Sequence, residues 1–332
     1  MREHSTALRV LAAHDIDQAL PMSEAVNIVR TAFEQLASGK VQMPVRSHID
    51  IPEYAGTALF MPSYAPCFGN IGIKTVNVFG RNPQRGLPRI QALVCLFDSQ
   101  TGSPRALLDG TALTALRTGA ASGVATDVLA RNNAATVAIF GAGVQGRTQL
   151  QAVREVRNLR SATVYDPQVD AARCFARDMS EFLTMEVTVA ETPQQAVRGA
   201  DIVCTATVSS TPVFEDADII PGTHINAIGS YQPHVQEIPA RTIARADVVV
   251  DHRQSVLAET GDLLIPLHKG MISKEHIRTE LGDILIGKAG GRDSDKSVTL
   301  FKSVGVAIHD LAVASRALEI AEAGDLGISV EL

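Results

Sequence analysis

The sequence is poor in cysteine, and what it has forms no metal-binding pattern. Its four cysteines, Cys67, Cys95, Cys174 and Cys204, lie far apart. There is no Cys-x-x-Cys pair and no Cys/His cluster with zinc spacing, which excludes a zinc-ribbon or zinc-finger reading. Three of them sit among apolar neighbours: Cys95 in ALVCLF, Cys174 in AARCFA and Cys204 in DIVCTA. They read as small buried hydrophobes of a reducing compartment. Runs of Lys and Arg are also missing, and the formal net charge is −6. A nucleic-acid surface and an anionic-membrane surface are thereby excluded. No stretch approaches the ~20 consecutive apolar residues of a membrane span. The first residues carry acidic side chains and no apolar core of secretory type. The expectation is a cytoplasmic protein without repeats or low-complexity tracts.

What is present fits a two-domain globular chain. The 332 residues are 45% hydrophobic and 20% charged, enough to bury a sizeable core. Ser23 to Leu36 has apolar residues at helical spacing, with Ser23 as the expected N-cap. VRSHIDI, TALFMPSY, IGIKTVNVF and IQALVCLFD then read as strands, punctuated by Pro, Gly and Asn. Strand following strand predicts an antiparallel or mixed sheet. After Asp109 the texture changes. Thr111 to Ala130 reads as a long Ala-rich helix, and strands then alternate with helices from Ala135, Ala162, Ala200, Thr223 and Ala246. Their continuous apolar runs suit a parallel sheet covered on both faces. Thr192-Pro193-Gln194-Gln195 has the form of a capping box opening a short helix. The C-terminal segment SVGVAIHDLAVASRALEIAEAG predicts a last amphipathic helix that returns to the first domain. The expected fold is α/β: a Rossmann dinucleotide-binding domain over 119–304, and a mixed α+β substrate-binding and dimerisation domain over 1–118 plus 305–332.

The strongest local signal is Gly141-Ala142-Gly143-Val144-Gln145-Gly146, a G-x-G-x-x-G run between the strand ATVAIF and the helix-compatible RTQLQAVREV. Gly141 permits the tight turn and Gly143 lets the backbone approach a pyrophosphate. Gly146 lets helix pack closely on strand, and the helix N-terminus offers free N–H groups to phosphate. The second strand of the unit ends at Asp166, about 20 residues further on, where an acid accepts hydrogen bonds from the adenosine ribose and repels a 2′-phosphate. No Arg or Lys follows until Arg173. NAD is therefore expected over NADP.

Read as an ordered series, the motifs PVRSH (from Pro44), FMPSY (from Phe60), GIKTVN (from Gly72), DGTALTALRTGAASG (from Asp109), GAGVQG (from Gly141), HINAIGSYQPHVQEIP (from His224), VVVDHRQSVLAETGDL (from Val248) and FKSVGVAIHD (from Phe301) resemble the ornithine cyclodeaminase/mu-crystallin family over nearly the whole chain. The resemblance implies a dimer-forming substrate domain beside a Rossmann domain. It also implies hydride transfer between nicotinamide and the α-carbon of an amino acid or its imine. The strand-rich first domain, whose edges need cover, points to a homodimer in the same way.

By the same resemblance Arg46, Lys74 and Arg117 are the basic substrate-site residues. An α-imino or α-amino acid brings a carboxylate, for which Arg is a planar two-pronged donor. Thr118 and Lys302 to Val304 are expected beside the cofactor. Thr207 and Val208 are expected near its ribose–nicotinamide end, with Asn226, Ala227 and Gly229 ending the strand where the nicotinamide lies. His48 reads either as a pocket residue or as a structural histidine, and Glu237 as a loop anchor.

Two departures discriminate within the family. Ornithine cyclodeaminases carry an acid at the position of Tyr231 and a Glu at the position of Leu59; this chain has neither. A substrate with a distal ammonium loses its counter-charges, and ring closure loses its base. The expectation is a direct reduction of a cyclic ketimine such as pyrroline-2-carboxylate or piperideine-2-carboxylate, with Lys74 or Tyr231 moving the proton. Alanine dehydrogenase-like reductive amination, an ammonia-releasing cyclodeaminase and a cofactor-loaded carrier are the alternatives.

Overall fold

The structure, a computed structural model, describes residues 7–331. The extreme ends of the expected first domain, 1–6 and 332, lie outside the described residues. Two compact units result: one formed by the chain up to Arg117 together with Val306 onward, the other by Thr118–Gly305.

The first unit opens with β1 (Ala7–Leu11), α1 (Ala13–Ala19) and α2 (Met22–Ala37), followed by β2 (Ser47–Ile51), β3 (Gly56–Tyr64), β4 (Asn70–Phe79), β5 (Ile90–Asp98) and β6 (Pro104–Asp109). Ser23 does not cap α2. Pro21 occupies the N-cap at φ −65° and ψ 157°, and Ser23 lies inside the first turn. The ring fixes a backbone that suits a helix entrance, and proline's missing N–H has no partner to lose there. β6 leads into α3 (Gly110–Leu129), whose first turn donates Thr111 and Ala112 N–H groups to Asp109 Oδ1 at 2.8 and 2.9 Å.

The second unit continues with β7 (Thr136–Phe140), α4 (Val144–Val156), β8 (Ser161–Tyr165), α5 (Val169–Leu183), β9 (Glu186–Val189), α6 (Pro193–Val197), β10 (Ile202–Thr205), β11 (His224–Ala227), α7 (Ala240–Arg245), β12 (Asp247–Val250), α8 (Arg253–Glu259), α9 (Gly261–His268), β13 (Ile277–Glu280), α10 (Leu281–Leu285) and β14 (Thr299–Lys302). Its eight strands form one parallel sheet in the order β13-β12-β14-β11-β10-β7-β8-β9. Strands β10, β11 and β14 are buried along their full length; β10 does so with an apolar run, whereas β11 and β14 bury His224, Asn226, Thr299 and Lys302, each with a hydrogen-bond partner. The order from β9 to β11 is that of a doubly wound dinucleotide-binding sheet, which reverses direction between β7 and β10. At α6, Thr192 Oγ1 accepts from Gln195 N at 3.1 Å, but the Gln195 side chain accepts from Glu191 N, one residue before the cap. The capping box is therefore only half formed. Cys174, expected inside, is exposed on α5 because the helical period turns Ala172, Phe175 and Ala176 inward instead.

The chain then returns to the first unit as α11 (Ala307–Gly324) and β15 (Ile328–Glu331). The seven-stranded sheet has the order β15-β1-β6-β5-β4-β3-β2, with β1–β6 its one parallel pair. Helix α11 lies against β3, β4 and β5. It approaches closely because Gly72 leaves room: a Cβ there would stand 3.1 Å from Leu311. Along β5, Ala92, Val94 and Leu96 are buried on the helix side while Leu93 on the other is half exposed. Among the described residues no helix is long and apolar enough to cross a membrane.

Candidate active site

In the first unit a set of charges is buried on the helix side of the sheet. Lys74 takes an inward position of β4, between Met61 on β3 and Val94 on β5. It is 2% exposed, so the lone lysine of an apolar strand is not a surface residue. Its Nζ stands 2.6 Å from Asp310 Oδ2. Arg117, on α3, donates from Nε to Asp310 Oδ1 at 3.0 Å. Asp310, on the first turn of α11, thus joins the two basic residues. Nothing local in the sequence marks it as their partner, although it closes the motif FKSVGVAIHD.

Burial pushes Lys74 down to about 7; Asp310 opposes this and Arg117 and Arg46 reinforce it. Burial alone would raise the Asp310 carboxyl, but Lys74 and Arg117 outweigh it and hold it below the ordinary carboxylate range. Lys74 and Arg117 thus share the one carboxylate of Asp310, and the excess positive charge is what a substrate carboxylate would neutralise. His309 lies edge-on to Phe33 at 4.3 Å, and its ring nitrogens have no hydrogen-bond partner among the described residues. Burial and Arg117 push it down to about 3, so it adds no charge near neutral pH.

His48 is on the same face of the sheet, two residues along, opposite Leu59. It is exposed and faces Asp50 at 3.9 Å, so the structure places it at the rim and not with the buried charges. Leu59 and Val76 occupy that row, where a cyclodeaminase would offer a carboxylate.

In the second unit the glycine run forms the turn from β7 into α4. Gly141 has φ +100°, and a Cβ on it would meet Ala206 O at 2.6 Å. A Cβ on Gly146 would collide with Gly141 O, whereas one on Gly143 would meet nothing within 4 Å. The first and third glycines are required by packing, and the second leaves open space beside an uncapped helix N-terminus. Those residues fit a pyrophosphate. Val144 beside it is 64% exposed.

Asp166, at the end of β8, accepts from Ala142 N at 2.9 Å through Oδ2 and from Gln168 N at 2.9 Å through Oδ1. It therefore also holds the glycine turn in place, while each oxygen keeps a lone pair for a ribose hydroxyl.

On the other half of the sheet, Val208 follows β10 and is 90% exposed, an apolar side chain at the carboxyl edge. Ala227 ends β11 and Asn226 is fully buried, donating to Thr126 Oγ1 at 2.9 Å. Thr118 is buried, and its carbonyl accepts from Gln149 at 3.3 Å. Tyr231 is 43% exposed. Lys302, expected beside the cofactor, has its ammonium sealed against Asp262 Oδ2 at 2.8 Å with no exposure. Val304 N donates to Asp251 at 2.9 Å, and Asp251 also receives Ser303 Oγ and Gly305 N. The sequence reading assigned no role to Asp251 or Asp262; a lone acid in an apolar stretch carries no local sign of its partner.

Comparison with known proteins decides the family. The model of the ornithine cyclodeaminase/mu-crystallin family matches residues 7–325. The chain belongs to the ornithine cyclodeaminase/mu-crystallin family. Within it, a Delta(1)-pyrroline-2-carboxylate reductase of Bacillus cereus is 38% identical over 323 residues, 97% of this chain and 99% of that protein. The structure of the Thermococcus litoralis Delta(1)-pyrroline-2-carboxylate reductase in complex with NADH and L-proline matches with TM-score 0.94 and 40% identity, covering 97% of this chain and all of that one. An archaeal alanine dehydrogenase dimer with bound NAD matches with TM-score 0.92 and 34% identity over 98% of this chain and 99% of that one.

Proposed function

We propose that this protein is an NAD-dependent oxidoreductase that reduces the C=N bond of a small cyclic α-imino acid, pyrroline-2-carboxylate first among them, to the cyclic amino acid. The observation that carries the reading is the Lys74–Asp310–Arg117 cluster, with its surplus of positive charge and no second carboxylate at Leu59 or Tyr231. Such a site holds an α-carboxylate and offers nothing to a distal ammonium. Arg117 and Arg46 hold the carboxylate. NADH, when bound, supplies a hydride for the α-carbon. Lys74, with a pKa of about 7, gives up a proton from Nζ to the ring nitrogen when the imine arrives neutral. C=N, hydride and proton then balance to CH–NH.

The glycine turn takes the pyrophosphate and Asp166 the adenosine ribose, which favours NAD over NADP. Reductive amination of a keto acid is the second reading, supported by the likeness to the archaeal alanine dehydrogenase. NADH oxidation against cyclic imino acids, and separately against pyruvate with ammonia, tests both. Turnover of the imino acids alone is expected. Ammonia release from ornithine without net NADH oxidation would overturn the reductase reading in favour of a cyclodeaminase, and no turnover at all would favour a carrier.

The protein works as a homodimer through the helix-free face of the first unit's sheet, where half-exposed Leu93 sits among partly buried apolar residues. Sedimentation is expected to show a dimer that Leu93→Lys weakens; a concentration-independent wild-type monomer would contradict it. Four unpaired cysteines are in keeping with a cytoplasmic setting.

A further inference from the structure

The second unit contains a buried carboxylate that the proposed reaction does not use. Glu237 is fully buried, yet its two oxygens accept four hydrogen bonds: from Thr205 Oγ1 at 3.1 Å, Thr207 N at 2.7 Å, Thr207 Oγ1 at 2.6 Å and Ser230 N at 3.0 Å. These donors come from two strand ends, β10 and β11. The chain after β11 wraps the carboxylate so tightly that a Cβ on Gly229 would collide with it. The Glu237 backbone N donates to Asp262 Oδ1 at 2.8 Å, and Asp262 Oδ2 meets Lys302 Nζ of β14 at 2.8 Å. One side chain and its neighbour thus tie together the carboxyl ends of β10, β11 and β14.

In a doubly wound sheet these strand ends form the half opposite the glycine turn, the half that takes the second nucleotide of a dinucleotide. We infer that Glu237 is a positioning residue that sets the nicotinamide half of the cofactor site and leaves the adenosine half alone. The inference rests on the proposed NAD-dependent activity. Its physical basis is the choice of partners: the carboxylate holds Thr205, Thr207 and Ser230, which end the strands of the second half, whereas none of Gly141, Gly143, Gly146 and Asp166 hydrogen-bonds it, although Gly141 packs against Ala206 O. Glutamate is demanded because all its acceptor sites are used. A glutamine would turn its NH2 toward Thr205 Oγ1 and Ser230 N, or toward Thr207; the hydroxyl can turn to accept, but the backbone N–H would lose its acceptor.

The test is the Glu237→Gln protein titrated with NADH and with ADP, which lacks both the nicotinamide and its ribose. NADH affinity is expected to fall about tenfold or more while ADP affinity stays within about twofold of wild type. Equal loss of both, or loss of neither, overturns the inference. Wild-type protein that binds NADH and ADP but turns over no imino or keto acid overturns the proposed function and leaves the selectivity between the two ligands measurable. Should Glu237→Gln fail to fold, Thr205→Val removes one donor at a fully buried position of similar shape. The same selective loss is expected at smaller size, and equal weakening of both ligands counts against the inference there too.

Discussion

The two units each bury a cluster of charges, and the clusters differ in how far they are satisfied. In the second unit the two carboxylates are fully hydrogen-bonded: Glu237 accepts four hydrogen bonds, and Asp262 meets Lys302 and two backbone N–H groups. In the first unit the cations outnumber the anion. Asp310 serves both Lys74 and Arg117, and Lys74 is left with a proton it holds weakly near neutral pH. A buried charge with all its partners is scaffold, because nothing remains for a ligand to contribute. A buried charge short of partners is held at a cost that an incoming ion of opposite sign relieves. The sign of the deficit in the first unit names a carboxylate.

That contrast can be broken at its strongest point first. Arg117→Ala is expected to lower kcat/KM by at least ~100-fold with little change in NADH affinity, because a bound anion loses its partner. If near-normal turnover survives, the first unit's cluster is not where substrate binds. Lys302→Met should do the reverse. It leaves Asp262 buried and unpaired, a loss of about 3–5 kcal/mol seen as a lower denaturation midpoint, whereas Lys74→Met, which leaves Asp310 paired to Arg117, costs far less stability. Equal destabilisation by the two substitutions would erase the distinction between the clusters.

The pH dependence sharpens the same point. In the proposed reaction the ammonium form of Lys74 pairs with substrate and donates the proton, so kcat/KM for reduction is expected to fall as pH rises through about 7. Asp310 favours that ammonium, and Asp310→Asn is expected to move the fall to lower pH. A profile indifferent to Asp310 would remove Lys74 from the proton path. The smallest effect expected is at Asp166. Asp166→Ser with Pro167→Arg should shift preference toward NADPH by about tenfold, while overall cofactor affinity falls because Ala142 N loses its acceptor. Asp166→Asn, which keeps an oxygen for Ala142 N, should spare more of that affinity; if it does not, the latch on the glycine turn is unimportant.

Much of the scaffold was legible in the residues. IQALVCLFD runs over the bounds of β5, and the glycine run falls where strand meets helix, because period and turn chemistry are local properties. Cys174 and Ser23 went astray for a local reason as well: a stretch of apolar neighbours does not say which of them faces inward, and a proline two residues upstream can take the cap. The site divides the same way. Lys74 stands out as a lone base in an apolar strand and Asp166 by its distance from the glycines, while Arg46 and Arg117 are picked out only by the family resemblance. Their partners do not stand out.

The sequence by itself determined the doubly wound half and the glycine turn, which follow from spacing along the chain and side-chain chemistry and need no third dimension; the basic residues of the proposed site came from the family resemblance. Only the tertiary structure decided that Lys302 belongs to Asp262 and Lys74 to Asp310. Asp310 lies 236 positions beyond Lys74 in the chain and reaches it because α11 returns to the sheet after the whole second unit has been built. Coulomb attraction acts on distance in space, and folding alone sets that distance.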